Sequence, residues 1–278
     1  MGDNLPHETP EVLPLAATFT PTTIALGSFI VALLLVALFL ISRRRSLSKG
    51  TTFLLVGPSD GGKTAILSRF VYGQSLPTQT SMQPNSSTFV LSPKKTIQIS
   101  DIPGHPRLRN QFEEYLPNTR AIGFVVDANT ISRNSAAVAE HLHMVLHALT
   151  SLPPSQAQPA LVIIANKSDL FKTTSASNTS PSTLAINRVK SILERELEKR
   201  RASQSGGINI EGLGEEGERS DMGGLECGEK EGSAFKFDEW EGGDISFVGT
   251  SASLKPSSEK SATQSGLDPL LEWLEENM

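Results

Sequence analysis

The 278-residue chain has a single cysteine, Cys227, so it cannot close an intramolecular disulfide. That suits a reducing compartment. Set among Gly and Glu neighbours, Cys227 reads as a free thiol in a mobile loop. Aromatics are sparse at 6% and hydrophobic residues make up only 38%, part of them in one N-terminal run, so some polar segments must lie outside any core. Basic residues are missing altogether from residues 1–42. No basic stripe of the kind that nucleic acid binding needs occurs elsewhere, and no direct nucleic acid partner is expected. No internal repeat is evident. Gly2 raises the question of myristoylation, but Pro6 stands where that motif needs Ser or Thr.

The net charge of −5 conceals an asymmetry: Arg201–Asp244 carries twelve acidic and four basic side chains, a net of −8, which leaves about +3 for the rest. Within that region Ser203–Ser233 has nine glycines, eight acidic residues and few apolar ones, and it reads as a disordered acidic insertion.

What the N-terminus does have is eighteen uncharged residues, Ile24–Ile41, which would span roughly 27 Å as a helix. Arg43, Arg44, Arg45 and Lys49 follow immediately, so the positive-inside rule places the C-terminal bulk in the cytosol. A cleaved signal peptide would want basic residues before the run and small ones after it, the reverse of what is found. The expected organisation is a short lumenal segment (1–23), a transmembrane helix (24–41), a basic linker (42–50) and one cytosolic domain (51–278).

In that domain, strand-like runs at Thr52–Val56, Thr88–Leu91, Thr96–Ser100, Ala121–Asp127, Ala160–Ala165 and Asp244–Gly249 alternate with helix-like stretches. The helices are expected near Lys63–Tyr72, Pro106–Leu116, Ser132–Leu149, Leu184–Arg201 and Leu267–Glu276. Such alternation predicts an α/β fold around a mainly parallel six-stranded sheet. Val138, Leu142, Val145 and Leu149 share one helical face, as do Leu267, Leu270, Leu271 and Leu274, and both stripes read as core contacts.

Chemistry concentrates in three places. Gly57-Pro58-Ser59-Asp60-Gly61-Gly62-Lys63-Thr64 matches G-x-x-x-x-G-K-[ST] directly after an apolar strand and opens a helix, the context a phosphate loop requires. Its glycines let backbone N–H groups wrap phosphate oxygens, Lys63 neutralises β- and γ-phosphate charge, and the Thr64 hydroxyl can ligate Mg²⁺. Asn166-Lys167-Ser168-Asp169 follows another buried strand. A carboxylate at Asp169 can accept from the N1–H and the exocyclic amine of guanine, donors that adenine does not offer in that arrangement, so GTP or GDP is the expected ligand. Between them lies Asp101-Ile102-Pro103-Gly104-His105: Asp101 can hold the Mg²⁺ shell through water, and the Gly104 N–H can sense a γ-phosphate. His105 stands where a water-orienting catalytic residue is wanted, with a solvent-exposed loop histidine as the plain alternative.

These residues, with Thr250-Ser251-Ala252 after the last strand, resemble the motif set of the Ras-like small GTPases. The resemblance implies that the Ser251 and Ala252 backbone contacts the guanine ring, and that a Thr in Pro77–Ser81 closes over Mg²⁺, Thr80 ahead of Thr78. The anchor, the basic stop, Gln79-Thr80-Ser81, Asp101-Ile102-Pro103-Gly104-His105-Pro106-Arg107-Leu108-Arg109 and Phe235-Lys236-Phe237 together make the chain from about Ile24 onward similar to the signal recognition particle receptor β subunits. It departs from them in the Ser203–Ser233 insertion. The similarity implies an endoplasmic reticulum membrane subunit that recruits a receptor α subunit in a GTP-dependent way for cotranslational targeting, with slow intrinsic hydrolysis. Translocon or ribosome contacts lie within what it allows. The alternative is an Arf/Sar-like GTPase of vesicle traffic, a group normally attached by lipid or an amphipathic helix rather than by a spanning segment.

Overall fold

The computed structural model describes residues 30–33, 35, 50–74, 76–93, 95–171, 179–205, 223–227, 234–252 and 266–278. The chain divides into two units, Met1–Ser48 and Lys49–Met278. In the first, Ile30–Leu33 and Leu35 are helical and exposed; the rest of the expected span Ile24–Ile41 lies outside the described residues. Among the described residues no helix is long and apolar enough to cross a membrane.

The second unit is built on six strands: β1 (Thr52–Val56), β2 (Asn85–Ser92), β3 (Lys95–Asp101), β4 (Thr119–Asp127), β5 (Ala160–Asn166) and β6 (Ile245–Gly249). Their order is β2-β3-β1-β4-β5-β6, with β2 antiparallel to β3 and every other pair parallel. The central runs Thr52–Val56 and Leu161–Asn166 are buried throughout, as strands covered on both faces must be. The edge strand β2 instead shows exposed and half-buried positions, with Leu91 alone buried.

Side-chain alternation along β1 splits the core in two. Leu54 and Val56 join one cluster under α3 (Ser135–Thr150) and α4 (Pro181–Ser205), while Phe53 and Leu55 join another under α1 (Lys63–Tyr72) and α5 (Asp268–Asn277). The expected stripes Val138/Leu142/Val145/Leu149 and Leu267/Leu270/Leu274 lie in those clusters, with Leu271 packed against the second while partly exposed. Helix α1 ends on Gly73, whose left-handed φ of 68° lets its N–H cap Arg69 O at 3.0 Å.

Two segments depart from the sequence expectation. The single helix expected over Pro106–Leu116 is broken into a 3₁₀ turn (Arg109–Gln111), the short α2 (Phe112–Tyr115) and a second 3₁₀ turn (Leu116–Asn118). Pro117 supplies no N–H with which to extend the α2 ladder, and the chain tightens before entering β4. The other departure concerns Ser203–Ser233. Helix α4 continues to Ser205, and Leu225 and Cys227 are buried in the α3/α4 cluster rather than lying in a mobile loop. Cys227 bridges Trp240, whose indole N–H donates to Gly224 O at 2.8 Å. Residues 206–222 and 228–233 lie outside the described residues.

Candidate functional site

The loop that leaves β1 lies across the end of β4. A Cβ on Gly57 would stand 2.3 Å from Val125 O and one on Gly61 would stand 2.8 Å from it, so bulk is excluded where the loop crosses the sheet. Gly57 (φ 138°) and Gly62 (φ 97°) use backbone space that side chains rarely enter, and Asp60 is held there too, at φ 63°. Such turns aim successive N–H groups inward, the anion-cradling geometry.

Lys63 closes this loop on itself: its Nζ donates to Gly57 O and Pro58 O, both at 2.8 Å. Burial lowers its pKa to about 8, against the opposing pull of Asp101 and Asp60. An ammonium so starved of water favours an incoming anion. At the next residue the Thr64 hydroxyl donates to Asp101 Oδ2 at 2.6 Å and lies 3.0 Å from Ser81 Oγ. Burial raises the Asp101 pKa despite the hydrogen bonds from Thr64 and Ser81 and the charge of Lys63, and its Oδ1 is buried without a hydrogen-bond partner. An unpaired carboxylate oxygen beside two hydroxyls fits the outer shell of a divalent cation held mainly by phosphate and water. Among the described residues no cluster of three or more His, Cys, Asp or Glu side chains could hold a metal alone.

Thr78, Thr80 and Ser81 all line the cleft in front of Lys63 and Thr64. The hydroxyl that reaches Thr64 is that of Ser81, one residue beyond the Thr80 favoured by sequence. Gly104 closes against the phosphate loop: a Cβ there would come within 2.4 Å of Gly57 O and 2.5 Å of Ser59 N. The His105 ring is turned toward its own loop, where Nδ1 accepts the Arg107 N–H at 3.2 Å. Arg109, from the same loop, pairs with Glu140 on α3.

The second motif meets the first directly. Asn166, buried at the end of β5, donates from Nδ2 to Gly61 O at 2.9 Å and accepts the Thr250 hydroxyl at 3.2 Å. Lys167, left-handed at φ 63°, donates to Asp60 O at 2.9 Å and to Asp127 Oδ2 at 2.7 Å. Ser168 Oγ donates to Thr250 O at 2.9 Å, and Ser251 Oγ to Asp169 Oδ1 at 2.6 Å. Asn166, Lys167, Asp169 and Ala252 line a cavity of about 470 Å³ together with Ala65 and Pro77. The twelve residues expected to bind a nucleotide are Gly57, Asp60, Gly61, Gly62, Lys63, Thr64, Gly104, Asn166, Lys167, Asp169, Ser251 and Ala252, and they lie on the phosphate loop or on the segments packed beside it. Two participants escaped the sequence reading, Ser81 and Asp127. For Asp127 a signal existed: an acid closing the buried run of β4, in register with Asn166 of β5.

Comparison with known proteins adds a family to this geometry. Residues 48–243 match the family model described as signal recognition particle receptor beta subunit. The chain is 29% identical over 214 residues to the protein of that name from Dictyostelium discoideum, covering 76% of this chain and 67% of the relative. It is 33% identical over 190 residues to the human protein, covering 66% and 65%. The match thus spans about two thirds of the length of these relatives. Among solved structures, one reported as the structure of the mammalian SRP receptor superposes with a TM-score of 0.59 at 26% identity, covering 82% of this chain and all of that one.

Proposed function

The chain belongs to the signal recognition particle receptor beta subunit family, and from that premise we propose that it is the guanine-nucleotide-binding, membrane-anchored subunit of such a receptor. In this reading Ile24–Ile41 crosses the endoplasmic reticulum membrane once with the N-terminus lumenal, and the cytosolic domain recruits the receptor α subunit when GTP is bound. The observation that carries it is the side-chain link between the two motif loops, Asn166 to Gly61 O and Lys167 to Asp60 O, which makes one cleft of a phosphate-wrapping and a base-recognising element.

Mg²⁺ would be held by Thr64 and, through water, by Asp101, and would supply charge neutralisation at the phosphates. The chain's own residues do the rest. Lys63 would exchange the carbonyls of Gly57 and Pro58 for phosphate oxygens. The Asp169 carboxylate, oriented by the Ser251 hydroxyl, meets the guanine edge, while Lys167 and Ala252 bound the ring. Gly104, packed on the phosphate loop, is where the presence of a γ-phosphate would be transmitted to residues 105–118, and through the Arg109–Glu140 pair to α3. Among the described residues that line the cleft none is an arginine that could serve as an in-cis finger, so hydrolysis should run on the order of 10⁻⁴ to 10⁻³ per second. His105, with Nδ1 accepting the Arg107 N–H, would orient a water through Nε2.

The deciding experiment is co-purification from detergent-solubilised membranes, with the bound nucleotide identified by mass spectrometry and co-eluting proteins sequenced. A guanine nucleotide together with a receptor α subunit is the expected result. An adenine nucleotide, or none, would sink the reading.

A further inference from the structure

The buried carboxylate at the end of β4 belongs to none of the motifs that bring the nucleotide reading to mind. We propose that Asp127 is a positioning residue for nucleotide retention, acting through Lys167 to lock the base-recognising loop onto the phosphate loop. The inference rests on the function proposed above and assigns a role within that site.

Asp127 and Asn166 are register partners on the adjacent parallel strands β4 and β5, so the carboxylate emerges beside the motif that follows β5. Its two oxygens do different things. Oδ1 accepts the N–H groups of Asn129 at 2.8 Å and Thr130 at 3.1 Å, which fixes the side chain to its own turn. Oδ2, thereby aimed, accepts Lys167 Nζ at 2.7 Å. The same ammonium donates to Asp60 O at 2.9 Å. Asp60 and Lys167 are the two non-glycine residues with positive φ among those described, and one cation ties them together.

The asymmetry of exposure gives Asp127 the controlling part. The Lys167 side chain is 36% exposed, whereas that of Asp127 is 11% exposed and doubly held from behind. Burial alone would raise the Asp127 pKa, but Lys167 and the Thr130 and Asn129 N–H groups outweigh it and hold the carboxyl below its usual range. A lysine stem loses rotamer entropy when pinned and would otherwise exchange a lone carbonyl contact for water. Remove the carboxylate charge and Lys167 keeps one neutral acceptor, the Asp60 carbonyl. The phosphate loop and the base loop are then joined mainly by the Asn166 to Gly61 O bond, and the cleft holds the two ends of the ligand less firmly.

Asp127→Asn separates this role from a structural one, because an amide oxygen still accepts the Asn129 and Thr130 N–H groups while the charge on the second atom is gone. Dissociation of a fluorescent GDP analogue from the full chain is measured for wild type, Asp127→Asn, Lys167→Met and the double variant. Asp127→Asn should release the analogue about tenfold faster, as loss of one hydrogen bond to a charged group implies. The double variant should be no faster than Lys167→Met alone, since the two act as one unit. Asp127→Glu, which keeps the charge, should recover part of the lost residence time. Equal release by wild type and Asp127→Asn, or effects that add in the double variant, would overturn the proposal. If wild type holds no guanine nucleotide, the function reading itself has failed, and amide exchange at residues 60–64 of the nucleotide-free chain then decides. Faster exchange in Asp127→Asn supports the lock, and unchanged exchange overturns it.

Discussion

Lys63 and His141 are both buried bases, and they predict opposite kinds of result. Lys63 is held in place to meet an anion, so Lys63→Met should weaken guanine nucleotide binding by about 10- to 100-fold, the scale of a lost charge-assisted hydrogen bond. Partner capture from membranes should fall with it, and unchanged capture by a nucleotide-free variant would refute a switch role. His141 lies on the buried face of α3, its ring edge-on to Phe124 with centroids 5.4 Å apart and its Nε2 without a hydrogen-bond partner. Burial first, then the charges of Lys63 and Arg109, push its pKa down to about 3. The unfolded chain takes up the proton below its ordinary pKa near 6.5 and the folded chain refuses it, so stability is full above pH 6.5 and falls as the medium acidifies. The slope is about 1.4 kcal/mol per pH unit, so roughly 2 kcal/mol should disappear between pH 6.5 and 5. Urea midpoints across that range measure it, and His141→Leu should flatten the dependence. A midpoint just as steep in the variant would assign the acid sensitivity to other groups.

At the scale of elements, helix α4 does more than cover the sheet. Glu198 and Glu194, one turn apart, accept the N–H groups of Phe235 at 2.7 Å and Phe237 at 3.3 Å, alternate positions of an extended segment. Glu194 also receives Lys236 Nζ at 3.1 Å. The carboxylates seat Phe235 and Phe237 in the core, where Phe237 packs edge-on against both Phe235 and Phe247. Glu198→Ala should cost about 1–3 kcal/mol by leaving a buried N–H unpaired, whereas Glu198→Gln, which retains an acceptor, should cost less. Chemical denaturation of both variants checks this; equal losses would show that the charge, not the hydrogen bond, matters. Sequence spacing places α1 at Lys63–Tyr72, and the structure agrees to the residue because the phosphate loop and Gly73 bracket it. Over Pro106–Leu116 spacing misleads: an apolar pattern compatible with one helix is divided by the approach of Pro117 and by Phe112 and Leu116 sinking into the core. Ser203–Ser233 misleads for another reason. Averaged composition hides Leu225 and Cys227, two apolar side chains whose burial depends on Trp240 and on α3.

For the whole molecule, a site assembled at one end of a parallel sheet from loops far apart in sequence should couple ligand binding to global stability. Residues 50–278, produced alone, should melt higher with guanine than with adenine nucleotide. At a ligand concentration of 100 times Kd the gain is about 2.7 kcal/mol, which for a domain of this size is on the order of 5–10 °C. A thermal shift scan with GDP, GTP and ADP reads it out, and equal shifts for all three would end the claim of guanine selectivity.

Taken by itself, the amino-acid sequence determined the fold class, the place of each of the six strands to within a few residues, and the nucleotide motifs. Each of those is written in local pattern: runs of buried strand residues, helical stripes, and a loop whose glycines and lysine must be contiguous to work. Only the tertiary structure decided that the Ser81 hydroxyl meets Thr64, that the Arg107 N–H engages His105, and that Lys167 is gripped by Asp127 and the phosphate loop together. Those outcomes join groups 17 to 107 residues apart, apart from the local turn at His105. No spacing rule reaches so far, because the approach of two distant side chains depends on strand register and on the packing of everything between them.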